Sequence, residues 1–349
     1  MSRYFASVFC VILLLADWIA IGAQVAKAQA HVAAAKAAAY EPGQDFTVIF
    51  DLCKQPKLGS PQSRFPRPLE APPIEPGTKR KIPPRSSWYA EPMKVFNNVY
   101  YVGGSPEHNM NVWAVTTGQG IILINAGWDF TVEELVVNGL KKLGLDPAQI
   151  KYVVLNEPKP EIYGGARFLQ EHYKARVILS EADWDVMAQS DLPVEFKPRK
   201  DMIAMDGQKL TLGDVTIYLY ITPGHTPGTV SLLISPLKDG KRKHVGSMFG
   251  GRGPGYEGWD GVKYYASEVE GIAAWSGSAK RFKSIAERAG ADVFLSAHDN
   301  WDKTSDKLNA LRFRKPGDPH PFVSKSAVSR FQTVISECMD AQLSWRSSE

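Results

Sequence analysis

From Tyr89 onward, short β-branched and aliphatic runs alternate with stretches of helical period, and the alternation is laid down twice. The first half predicts strands at 95–102, 112–116, 121–125, 151–156 and 177–180, set apart by Gly and Asn turns. The second predicts strands at 215–222, 229–234, 244–249 and 293–297. A helix is expected after Thr131, a plausible N-cap with Glu134 three residues on; it turns Leu135, Leu140 and Leu143 inward and stops at Gly144. Further helices are expected at 164–173, 181–187, 266–289 and 326–343. Two β-rich halves that each send helices outward predict two sheets packed face to face between helical layers, a four-layer αββα sandwich of the α/β class.

The chain ahead of this domain reads differently. Arg3 is followed by an apolar stretch from Tyr4 to Ala23 and then by Ala26-Lys27-Ala28, an A-x-A cleavage pattern. Residues 1–28 therefore read as a secretory signal peptide, and the mature chain is expected in the periplasm or secreted, without a stable membrane span. An uncleaved anchor is the alternative, although Asp17 interrupts the stretch. Residues 29–88 form an extension, Ala-rich to about Tyr40 and then crowded with nine prolines between Lys54 and Arg85, which exclude regular helix and most sheet pairing. The compact domain is expected over 89–349. Cys10 leaves with the signal peptide, so Cys53 and Cys338 remain as an even pair in an oxidising compartment. A disulfide between them would tie the extension to the last helix; two separate buried thiols are the alternative.

The 41 basic and 37 acidic residues nearly balance, and no basic run is interleaved with aromatics, which argues against a nucleic-acid partner.

Four further segments bear on function: Gly120-Ile121-Ile122-Leu123-Ile124-Asn125-Ala126-Gly127, the run Lys151 to Asn156 leading to Gly164-Gly165, Thr222-Pro223-Gly224-His225-Thr226-Pro227-Gly228, and Ser296-Ala297-His298. In this order and at these intervals they resemble the metallo-β-lactamase superfamily over about 89–343. Gly246-Ser247 and Pro319-His320-Pro321-Phe322-Val323 look most like the third lactamase subclass and its hydrolase relatives. The resemblance implies a strand followed by His-x-His-x-Asp-His, with two zinc ions held by those side chains, by the His of the Gly-His-Thr-Pro-Gly loop and by a late His. Such a donor set suits Zn²⁺ and acidifies a bound water.

The same register here gives Glu157-Pro158-Lys159-Pro160-Glu161-Ile162-Tyr163. Only His225 and His298 match the family outright. A lysine beside a dication at about 4 Å costs roughly 8 kcal/mol at an effective dielectric near 20, and stripping its proton at pH 7 costs about 4.6 kcal/mol. Ile162 has no donor atom. Asn125 stands where the family usually carries Asp, keeping the shape without the charge. A two-zinc centre is not expected. Lys159 lies two residues from both Glu157 and Glu161, so an ammonium held between two carboxylates could stand where a metal stood; the alternative is that all three face solvent.

Two functions stay open. The first is a non-catalytic exported protein binding a small-molecule ligand or a partner through the former cleft, with no cofactor. The second is an ester or amide hydrolase with one Zn, Mn or Fe ion on Glu157, Glu161, His225 and His298, with Ser247 or Tyr163 steadying the oxyanion. Trp113, Trp128, Tyr163, Tyr256 and Trp259 are candidates to line the mouth, or else to cover core edges. His31, His108, His172, His244 and His320 show no partner pattern and read as surface or structural.

Overall fold

The β-branched runs pair into two sheets. In the computed structural model, which describes residues 22–40, 45–56, 82–105, 110–190, 192–258 and 262–347, the first sheet holds β1 (Met93–Phe96), β2 (Val99–Ser105), β3 (Met110–Thr117), β4 (Gly120–Ile124), β5 (Ile150–Val154), β6 (Arg176–Ser180) and β7 (Met202–Ala204). These lie side by side in chain order. The second holds β8 (Gln208–Leu212), β9 (Val215–Ile221), β10 (Val230–Asp239), β11 (Arg242–Met248) and β12 (Val293–Phe294), again in chain sequence across the sheet. Strands β1 to β4 are antiparallel and β4 to β7 parallel, while β12 runs parallel to β11.

The period of two decides which face each side chain joins. Along β3, Trp113 and Val115 point to the space between the sheets, with Ile122 and Ile124 of β4 and Ile217, Leu219 and Leu232 of the second sheet. Val112, Ala114, Ile121 and Leu123 point the other way, under Val132, Val136, Leu140, Ala166 and Leu169. The outer face of the second sheet is covered by the helices Glu268–Arg288 and Ala327–Arg346, through Ile272, Trp275, Phe282, Phe331 and Ile335. The result is an αββα sandwich. Burying one such Ile or Leu stabilises by about 1.5–3 kcal/mol.

Differences from expectation have local causes. The single strand expected at 95–102 is broken by a turn at Asn97 and Asn98 into the hairpin β1–β2. After Thr131 the chain makes a wide π-helical turn, Val132–Val137, before the α-helical Asn138–Lys142. The capping box does not form: Thr131 Oγ1 donates to Trp128 O at 2.9 Å, and Glu134 pairs with Arg85. Strands β7 and β8 were not expected; both are short edge pieces.

The extension is docked where it is described. Residues 22–39 are helical, with Ala28 packed on Ala341 and Trp345 and His31 Nδ1 2.6 Å from Glu337 Oε2. A tight turn, Thr47–Cys53, follows, and Cys53 forms a disulfide with Cys338. Most of the proline run lies outside the described residues, as does nearly all of the apolar N-terminal stretch. Among the described residues, no helix is long and apolar enough to cross a membrane.

Candidate functional site: a carboxylate between two imidazoles

Five loops at the strand ends meet over the inter-sheet core: 125–130 after β4, 155–165 after β5, 222–229 between β9 and β10, 249–258 after β11, and 295–299 after β12. Amide side chains lock them together. Asn156 Nδ2 donates to Val230 O at 2.7 Å and Asn156 O accepts from Val230 N at 2.9 Å, tying the second loop to β10. Asn125 sits at φ 64°, a left-handed conformation that Asn tolerates. Its Oδ1 accepts from Asn156 N at 3.2 Å, and its Nδ2 lies 3.5 Å from Asn111 O, to which it donates. A carboxylate there could not make the second bond. Asn111 Nδ2 and Trp113 Nε1 both donate to Ser296 O, at 3.1 and 2.9 Å, and so fix the approach to His298.

Three of the expected site residues come together. Glu157 is wholly buried, and its carboxylate lies between His225 and His298. Oε1 is 3.2 Å from His298 Nε2, and Oε2 is in contact with His225 Nε2. On the far side of its ring, His225 Nδ1 donates to Gly253 O at 2.7 Å. That bond leaves Nε2 of a neutral His225 as an acceptor pointed at another acceptor, so the contact needs a positive charge between the two atoms. Burial opposes the charge on Glu157, but the facing His225, Lys159 and the imidazole hydrogen bonds outweigh it and hold this carboxyl well below its usual range. Burial likewise pushes His225 down, against the pull of Glu157. A proton held here belongs to the pair rather than to either residue.

The other candidates separate. Glu161 is buried and raised above the usual carboxylate range by that burial; it feels Glu157, Lys159 and His298 but makes no ion pair with them. Of the four residues considered for a single ion, Glu157, His225 and His298 are in contact, and Glu161 is buried close by without pairing with them. Among the described residues, no group of three or more His, Cys, Asp or Glu is arranged to hold a metal ion. Glu157 places one carboxylate oxygen against each imidazole. Lys159 is part-buried and acts on Glu157, Glu161, Asp183 and His225 at a distance; it is not clamped between two carboxylates.

Ile162 and Tyr163 lie in the apolar cluster on the outer face of the first sheet, with Leu155, Ala166 and Leu169. Tyr163 therefore does not line the mouth, and the place of the family's last motif histidine is turned into the core. Ser247, on β11, is fully buried, its Oγ without a hydrogen-bond partner among the described residues. Of the aromatics, Trp113 and Trp128 are buried, Tyr256 is half-buried, and Trp259 lies outside the described residues. His320 is structural, donating from Nε2 to Val95 O at 2.9 Å and stacked on Phe96; His108 is outside the described residues. The family's two-metal centre does not fit these side chains.

Two residues escaped the sequence reading. Asp183, buried in the helix Glu181–Gln189, accepts from Thr226 Oγ1 at 2.8 Å and Gly228 N at 2.9 Å and so braces the His225 loop. Arg252 sits between two glycines that carry the same loop on its other side. Only the glycine spacing at 250–253 hinted at it.

The family model of the metallo-β-lactamase superfamily matches residues 106–316, more than half of the chain. The chain belongs to the metallo-β-lactamase superfamily. Within the superfamily it is similar to BJP-1, a subclass B3 metallo-β-lactamase of Bradyrhizobium japonicum, at 25% identity and a TM-score of 0.61, over 75% of this chain and 96% of that one. The Cronobacter sakazakii metallo-β-lactamase named for its HARLDQ motif is 25% identical, with a TM-score of 0.61, over 77% and 96%. LRA-12, a class B3 di-zinc enzyme from an Alaskan soil metagenome, shares the fold at 19% identity and a TM-score of 0.58, over 74% and 96%.

Proposed function

We propose that this chain is an exported, non-catalytic member of the superfamily that binds a small ligand or a partner through the former metal cleft, in the periplasm or outside the cell. The observation that carries the reading is the Glu157 carboxylate set between His225 and His298, with one oxygen against each imidazole. Ile162 in the core and the fixed ammonium of Lys159 act in the same direction. Export is supported by the apolar N-terminal segment and by the Cys53–Cys338 disulfide, a bond that persists in oxidising compartments.

Turnover tests the reading. The purified, disulfide-bonded chain should hydrolyse a penicillin, a carbapenem and a simple ester no faster than buffer, with or without added zinc. Zinc-dependent turnover that His225→Ala abolishes would contradict it.

A single-metal hydrolase is the second reading. It is favoured by the HARLDQ name: set on 157–162, its Arg falls where Lys159 stands, so a basic residue at that place occurs in a protein called a metallo-β-lactamase. The Glu157 and Ile162 positions, His and Gln in that motif, remain the difference.

A further inference from the structure

Strand β10 runs ten residues from Val230, beside the cleft, to Asp239. At about 3.3 Å per residue this carries the chain about 30 Å, to the opposite end of the sandwich. Three turns meet there. Asn97 N donates to Lys238 O at 2.7 Å and Gly240 N to Asn97 Oδ1 at 3.4 Å, which joins the β1–β2 turn to the β10–β11 hairpin. Arg314 Nη2 reaches Asp239 Oδ2 at 3.2 Å, and His320 Nε2 donates to Val95 O, which brings in the segment after the helix Thr304–Arg312.

These turns gather cations. Lys238 is paired with Asp214 and Arg314 with Asp239. Lys94, Lys241, Arg242, Lys243, Arg312 and Lys315 are exposed and, among the described residues, in no ion pair. The acids beside them are Asp292, held by His244 at 2.7 Å, Asp318, whose Oδ2 accepts from Lys315 N at 2.9 Å, and Asp306, further back on the helix. Even with all three ionised, free base outnumbers acid two to one, on a chain whose whole formal charge is +4.

Beside these cations stands Phe313, 82% exposed. Its turn is tied down: Phe313 N donates to Ala310 O and Arg314 N to Leu311 O, both at 3.2 Å, and Arg314 Nε donates to Asp318 O at 3.0 Å. An ordered turn thus holds an apolar ring out in water among unpaired positive charges. A soluble polyanion would answer the cations and leave the ring wet. A lipid surface answers both, since its head groups meet the cations while the ring enters the acyl boundary.

We propose that this end of the sandwich docks on an anionic lipid surface, with Phe313 as the inserted ring and Lys241, Arg242, Lys243, Arg312 and Lys315 against the head groups. The proposal goes beyond the cleft and does not depend on what the cleft holds, because it uses the far ends of the strands.

Co-sedimentation with vesicles tests it, using the disulfide-bonded chain recovered without detergent. Vesicles of equal parts phosphatidylglycerol and phosphatidylcholine should carry the chain down, and vesicles of phosphatidylcholine alone should not. The partition coefficient on the anionic vesicles should fall at least about tenfold when Lys241→Gln, Arg242→Gln and Lys243→Gln are combined, because each cation near a charged surface contributes. It should also fall about tenfold in Phe313→Ala, while Phe313→Trp stays close to wild type. All four positions are exposed, so these variants leave the core untouched. Binding to anionic vesicles that ignores Phe313→Ala, or capture by duplex DNA at least as tight, would make the patch a general polyanion site and overturn the lipid reading. Equal sedimentation with neutral vesicles, or none with either kind, overturns it as well.

Discussion

Thr226 Oγ1 donates to Asp183 Oδ2 across 2.8 Å, and through this bond a helix of the first sheet holds the loop of His225 in place. Asp183 is wholly buried, and that burial, despite the hydrogen bonds from Thr226 and Gly228, pushes its carboxyl up to about 8. The folded chain therefore keeps a proton that the unfolded chain releases above a pKa of 3.8. Stability contributed by this group is full below the unfolded value and is lost as pH rises through the folded one, falling by about 1.4 kcal/mol per pH unit in between. Asp183→Asn keeps the acceptor for Gly228 N and removes the titration. Urea midpoints measured from pH 4 to 8 should fall more steeply for wild type than for the variant; parallel profiles would show that Asp183 is not the titrating group.

The N-terminal arm reaches the loops of both imidazoles. Lys303, which follows the short helix after His298, pairs with Asp45 at 2.7 Å, and Leu52 lies near Gly253, the partner of His225. Gln342 Nε2 holds the arm's backbone at Leu52 O and Lys54 O, at 2.8 and 2.6 Å, beside the Cys53–Cys338 bond. Removing that bond with Cys53→Ala and Cys338→Ala should lower stability by about 2–5 kcal/mol. Hydrogen exchange should quicken at 45–56, 250–255 and 299–304 together. Faster exchange in the arm alone would mean that the site loops do not depend on it.

Returning the family's residues at five places, with His, His, Asp and His at 157, 159, 161 and 162 and Asp at 125, should give a chain that holds at most one zinc. Ile162 is completely buried in the apolar cluster, so a histidine there points away from the cleft and costs stability, about 2–4 kcal/mol for a buried polar group in an apolar site. Zinc equivalents after gel filtration decide the matter: two would show that position 162 turns back toward the metal.

Cleavage after Ala28 would leave Gln29 as the first residue of the mature chain, inside the docked helix at 22–39. Intact mass of protein from the periplasm or medium should match residues 29–349. A mass that includes residues 22–28, which contribute the buried Ala28 beneath Trp345, would show that the helix stays whole and the segment uncut.

The sandwich was legible in the sequence because period-two runs such as Val112 to Val115 declare two opposite apolar faces, and both faces are filled in the structure. That position 162 offers no metal donor was legible too, since an Ile side chain cannot donate to a metal whatever its position. Where Glu157 points was not. A carboxylate next to Pro158 looks the same in sequence whether it faces solvent, a cation or two imidazoles, and only the meeting of loops from β5, β9 and β12 decides. Arg252 and Asp183 were hidden for the same reason: the His225 loop that the Arg252 segment and Asp183 adjoin lies well apart from both in the chain.

The central claim is that a carboxylate, and not a metal ion, joins His225 to His298. Elemental analysis of the purified chain, after mild chelation and again after reloading with zinc, manganese or iron, measures this directly. Less than a tenth of an equivalent, roughly, is expected in both states, because a dication would have to part Glu157 from the two imidazoles next to the charge of Lys159. About one equivalent of a transition metal retained through chelation, and lost in His225→Ala, would contradict the account.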